Sequence, residues 1–205
     1  MFEPVPFYCE ENVWTFLETP GDISACGDCP DASVVRERKS FAVFISNTHG
    51  HVAFRHQANR EGLDVLCWDY HVVALVRESG KWLIHDFNCD LGRPLKKNDW
   101  LKKSFCTEPE DDSFSPLFKL VSRTVFLERF VSDRSHMIGT DGLYAEPPPS
   151  WPAIGKGASN LSRFTSMSNC TDGEIYSLED FSAAKTFERG RCTHRLAPRD
   201  DPLPS

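Results

Sequence analysis

The spacing of hydrophobic positions along the chain changes several times, and each change marks an element. Between Glu10 and Thr19, Val13, Trp14, Phe16 and Leu17 recur at helical spacing until Pro20-Gly21 stops the pattern. This predicts a short amphipathic helix with Cys9 at its mouth. Residues 20–40 read as a loop, 41–46 as a β-rich run, 47–50 as a turn and 51–55 as a return strand. The strongest pattern covers residues 65–87, where two apolar runs flank Glu78-Ser79-Gly80-Lys81. It predicts a buried hairpin at the centre of an antiparallel sheet. Further on, 118–129 reads as strand then helix, and the prolines at 147–149 set an extended segment. Ser177-Leu178-Glu179-Asp180 forms a capping box that opens a last helix running to about Phe187. The residues therefore predict one domain over 1–187 and a mobile tail over 188–205, where mixed charges and prolines gather.

Centring the hairpin turn between Ser79 and Gly80 pairs Val73 with Asp86 and His71 with Asn88. Side chains alternate across a strand, so residues 71, 73, 86 and 88 share one face. His71 and Asp86 become diagonal neighbours, with backbones about 7–8 Å apart, a gap that one imidazole–carboxylate hydrogen bond closes. Such a carboxylate fixes the histidine tautomer and stabilises the imidazolium. A satisfied buried pair with no chemical role reads equally well. Cys9, at the start of a helix, stands where unpaired N–H groups favour a thiolate, although a small buried hydrophobe fits the same position.

Composition narrows the field. The 205 residues suffice for one domain with a real core, and 23 Lys+Arg against 30 Asp+Glu give a net charge of −7. With no basic stripe, nucleic-acid binding is not expected, and no apolar run is long enough for a transmembrane helix. Residues 1–9 lack the basic and apolar regions of a secretory signal. A reducing cytosol is therefore expected, with the eight scattered cysteines free and serving metal binding, nucleophilic chemistry or packing. Cys26-Gly27-Asp28-Cys29 is half of a zinc ribbon and keeps open a zinc-dependent interaction module. His49 and His51 read as surface residues, and Glu10 and Glu11 as acids that suit a helix N-terminus. The 132–137 block and the proline run either line a substrate entrance or brace it.

Several blocks carry a resemblance. Tyr8-Cys9-Glu10-Glu11-Asn12-Val13-Trp14, Ala42-Val43-Phe44-Ile45-Ser46-Asn47 and Trp68-Asp69-Tyr70-His71-Val72-Val73 resemble the eukaryotic protein N-terminal glutamine amidohydrolase family. Ser132-Asp133-Arg134-Ser135-His136-Met137, Glu146-Pro147-Pro148-Pro149 with Trp151-Pro152, and Ile175-Tyr176-Ser177-Leu178 with Phe181 follow in the family's order. The resemblance implies an α+β, papain- or transglutaminase-like cysteine-hydrolase fold, a central antiparallel sheet flanked by helices. It implies a catalytic triad of Cys9, His71 and Asp86 that deamidates an N-terminal glutamine through a thioester, with neither metal nor organic cofactor. It also implies a monomer of the cytoplasm and nucleus that feeds the N-degron pathway, with N-terminal Gln of proteins or peptides as its partner. The chain departs from the family at Asn88, where a second acid is usual, and at Asp172-Gly173-Glu174, where a glycine- and tryptophan-rich run is usual. A peptidase or transglutaminase on the same fold remains the alternative, because a triad alone does not choose between carboxamide and peptide bond.

Overall fold

The structure, a computed structural model, describes residues 3–19, 39–58, 64–105 and 112–187. Helix α1 (Cys9–Glu18) comes first, then strands β1 (Ser40–Ser46), β2 (Val52–Phe54), β3 (Leu66–Trp68), β4 (His71–Glu78), β5 (Lys81–His85) and β6 (Leu95–Lys96). Helix α2 (Lys97–Ser104), strand β7 (Leu117–Ser122), helices α3 (Arg123–Arg129) and α4 (Leu161–Thr165), strand β8 (Glu174–Ser177) and helix α5 (Leu178–Ala183) complete the order. Six strands form one sheet, β6-β5-β4-β1-β7-β8, in which every pairing is antiparallel. Helices cover both faces. The expected α+β class and central antiparallel sheet are borne out.

The two central strands, β1 and β4, are buried on both faces, which is why Ala42-Val43-Phe44-Ile45 and Val72-Val73-Ala74-Leu75-Val76 are uninterrupted apolar runs. On one face Ala42, Phe44, Val72 and Ala74 meet Val13 and Leu17 of α1, Phe126 of α3 and Phe164 of α4. The other face sets Val43, Ile45, Val73 and Leu75 against Trp100 and Leu101 of α2 and Phe181 of α5. Aromatic rings fill both layers: Phe44 lies 5.4 Å from Phe164, and Phe118 stacks on Phe181 at 4.5 Å.

The β4–β5 hairpin has the predicted register, from Ala74 opposite His85 to Glu78 opposite Lys81. Ser79 and Gly80 both take positive φ, 45° and 76°, as a two-residue turn matched to strand twist requires. The chain after β1 differs from its prediction. Residues 52–54 do not return along β1, because β4 and β7 occupy both of its edges; they pair with β3 in a separate two-stranded sheet. Helix α5 ends at Ala183, short of Phe187. There the Lys97 ammonium donates to the carbonyls of Phe181, Ser182 and Ala184, which ends the helix and lets Phe187 fold back against Phe181 at 5.4 Å. Its opening is as predicted, with the Ser177 hydroxyl accepting the Asp180 N–H at 3.1 Å. Cys9, Cys67 and Cys89 are free thiols, whereas Cys170, in the loop before β8, is disulfide-bonded, contrary to the expectation of free cysteines throughout. The Cys26–Cys29 loop and the 188–205 tail lie outside the described residues.

Candidate active site

Helix α1 begins at Cys9, whose N–H falls among the first four of a helix and so lacks an intrahelical partner. Val13 and Leu17 press α1 onto β4, and this seats Cys9 at the strand's start: the Val72 N–H donates to its sulfur. His71, the first residue of β4, is 3% exposed, with Phe54 edge-on to its ring at 5.4 Å. Asp86 follows the last residue of β5. The predicted diagonal bond is present: His71 Nε2 lies 2.8 Å from Asp86 Oδ1.

Asp86, 2% exposed, is held on every side. Besides His71 it accepts the Asn88 N–H at 3.0 Å, the Trp100 indole N–H at 3.1 Å and the Gln57 amide at 3.4 Å. Burial alone would raise its carboxyl, but the His71 imidazole, the Asn88 N–H and the Trp100 indole outweigh burial and hold it below its usual value. An ionised carboxylate only accepts, so His71 Nε2 carries the proton and the Nδ1 lone pair of the neutral ring is the one available as a base. Asn88 has no direct side-chain bond to Asp86; its amide donates to Gln57 at 3.0 Å, and Gln57 reaches Asp86. Trp100 and Gln57 had no local signal in the sequence, since only the fold brings α2 and the chain after β2 against the hairpin.

The thiol runs against expectation. Burial pushes Cys9 well above its ordinary pKa, the Glu10 carboxylate raises it further, and the Val72 N–H only partly offsets them. A helix N-terminus contributes no more than about 1–2 kcal/mol, less than removing a thiolate from water beside an acid. Cys9 therefore rests as a thiol and needs a base to ionise it.

The two acids after Cys9 are more than helix-start charges. Glu11, fully buried, receives Arg134 through both oxygens at 2.9 and 2.8 Å, the Trp151 indole at 2.9 Å and the Ser132 hydroxyl at 3.3 Å. Arg134 also donates to the carbonyls of Pro149 and Trp151. Of the two roles open to the 132–137 block and the proline run, the contacts of Ser132, Arg134 and Trp151 are bracing, while His136 of the same block faces Glu10. Glu10 is fully buried as well and faces the thiol. Its Oε2 lies 3.5 Å from Cys9 Sγ and accepts the Tyr70 hydroxyl at 3.2 Å, while Oε1 lies 3.3 Å from His136 Nε2. Glu10 did not stand out in the sequence as a site residue, because adjacency to Cys9 reads as helix electrostatics, and Tyr70 and His136 were legible only as members of resembling blocks. His49 is exposed, as expected. Among the described residues no group of three or more His, Cys, Asp or Glu is placed to hold a metal, and no helix is long and apolar enough to cross a membrane.

A helix-borne thiol packed on the strand that carries an imidazole fixed by a buried carboxylate makes this an α+β protein with a candidate site for nucleophilic thiol chemistry. Comparison with known proteins gives the family. The model of the N-terminal glutamine amidase family matches residues 5–185. The chain is 34% identical to the protein N-terminal glutamine amidohydrolases of Bos taurus and Homo sapiens, over 85% of its own length and 82% and 83% of theirs. It is 33% identical to that of Danio rerio, over 85% of its own length and 84% of the relative's. The chain belongs to the N-terminal glutamine amidase family.

Proposed function

We propose that this protein hydrolyses the side-chain amide of an N-terminal glutamine on proteins and peptides, leaving N-terminal glutamate and ammonia. Family membership over 5–185 supports the substrate, and the 2.8 Å His71–Asp86 bond, with a thiol at the start of the helix packed on the same strand, supports the mechanism. His71 Nδ1 takes the Cys9 proton as the sulfur attacks the carboxamide carbon. The unpaired Cys9 N–H stabilises the oxyanion. Collapse breaks the C–N bond, and His71 returns its proton to the leaving nitrogen, which departs as ammonia. The γ-glutamyl thioester then takes a water whose proton passes to His71 and on to the departing sulfur, restoring the thiol. Asp86 keeps the ring in the productive tautomer and stabilises each imidazolium. Neither metal nor organic cofactor enters these steps.

The finer fold reading, papain- or transglutaminase-like, goes with this proposal: a thiol at a helix start, packed on an antiparallel sheet whose neighbouring strands supply the histidine and the aspartate. The protein acts as a monomer, in cytoplasm and nucleus, and its product enters the N-degron pathway. The test is mass spectrometry of a Gln-initiated peptide incubated with the protein. The expected result is a gain of about one dalton with ammonia released, abolished by Cys9→Ala and kept by Cys67→Ala. Cleaved or cross-linked peptide instead would establish the peptidase or transglutaminase reading.

A further inference from the structure

Two consecutive acids are buried at the start of α1, and the protein treats them differently. Glu11 is saturated by donors from Arg134, Trp151 and Ser132. Glu10, equally buried, has Oε1 without an aligned hydrogen-bond partner among the described residues, although His136 Nε2 stands 3.3 Å away. Its Oε2 holds the Tyr70 hydroxyl and lies within reach of Cys9 Sγ. An under-satisfied buried carboxylate is costly, and its charge opposes formation of the thiolate next to it. Both costs vanish when a cation sits on Glu10. The chemistry proposed above brings a cation there, since the substrate differs from an internal glutamine by its free α-ammonium.

We propose that Glu10 is the specificity-determining residue that reads this α-ammonium, with Tyr70 orienting the carboxylate and His136 the neighbouring side chain that gives way to the ammonium. The inference rests on the proposed deamidation. The distances close. In a glutamine four bonds of about 1.5 Å separate the carboxamide carbon from the α-nitrogen, so the two lie at most about 5 Å apart. With the carbon about 3 Å from Sγ and the nitrogen about 2.8 Å from a carboxylate oxygen, a folded side chain spans a sulfur and an oxygen 3.5 Å apart. Recognition is thereby coupled to activation: the group that identifies a free N-terminus is the group whose charge suppresses the thiol until that N-terminus arrives.

The experiment compares wild type, Glu10→Gln and Tyr70→Phe on three substrates: a Gln-initiated peptide, its N-acetyl form, and a des-amino analogue bearing a glutaramic acyl group in place of glutamine. Wild type is expected to favour the free amine over the des-amino analogue by about a hundredfold or more in kcat/KM, as a charge-assisted contact supplies. Glu10→Gln, nearly isosteric, should reduce that ratio to within about fivefold, and Tyr70→Phe should reduce it by a smaller factor. A second readout is the pH profile of Cys9 alkylation by neutral iodoacetamide, which Glu10→Gln should move to lower pH. The other ionisable groups around Cys9 and Glu10 are Glu11 on α1, Asp69, Tyr70 and His71 on the β3–β4 side, Asp86 after β5, and Asp133, Arg134 and His136 on the bracing block. All stay in place in that variant. A Glu10→Gln protein that keeps the full free-amine ratio, or a wild type that turns over acetylated and free peptides alike, overturns the inference. Failure of the wild type to deamidate any Gln-initiated peptide instead overturns the proposed function.

Discussion

Asp86 illustrates how much one buried carboxylate is asked to do. Four donors hold it ionised, and its bond to His71 selects the proton-accepting nitrogen. Asp86→Asn preserves the shape but offers His71 the wrong tautomer, and a fall in kcat of about a thousandfold or more is expected in steady-state assays. The same residue predicts a pH dependence of stability. Its folded-state pKa lies below the unfolded value, so its contribution is fully present above about pH 4 and is lost as pH falls through the folded value. Thermal melts of wild type and Asp86→Asn should differ at pH 7 and converge in acid. A gap that widens on acidification would contradict the assignment.

Among the elements, legibility followed how local the cause was. The hairpin register was readable because two residues at positive φ sit between two apolar runs, so turn chemistry and burial agree. Helix α1 and the cap at Ser177 were readable for the same reason, as was the alignment of His71 with Asp86 that follows from the register. Helix α2 was not: in Lys97–Ser104 only Trp100 and Leu101 are buried hydrophobics, too few to show a helical period. The mispairing of 51–55 has a tertiary cause, since nothing local reveals that both edges of β1 are taken. Nor did any local signal mark Glu11 as an anchor, because its partners lie 121 to 140 residues away. Arg134→Ala leaves the Glu11 carboxylate buried and unpaired and should cost about 3–5 kcal/mol in denaturant unfolding. Glu11→Gln with Arg134 intact leaves the mirror-image defect, an unpaired guanidinium, and a double variant should lose less than the two single losses combined.

Among the described residues, two buried lysines plug helix ends on opposite faces of the sheet. Lys97 receives the carbonyls that end α5, and Lys119 those of Arg163 and Ser166 at the end of α4. Burial lowers both amines to about 8. The unfolded chain therefore binds more protons than the folded one between pH 8 and the ordinary lysine value, and this contribution to stability rises with pH in that window. Relative to Lys97→Gln, wild type should gain melting temperature between pH 8 and pH 10, whereas a steady loss would reverse the sign. The bracing of α1 has a consequence in time. Cys9 is made well before Arg134 and Trp151, and Glu11 on the same helical turn has no anchor until those two residues have been made. Long-range contacts of this kind form late in folding. A nascent chain, or one ended before these residues, thus carries its thiol without the frame that seats it, and the sulfur comes into position only once Trp151 has been made.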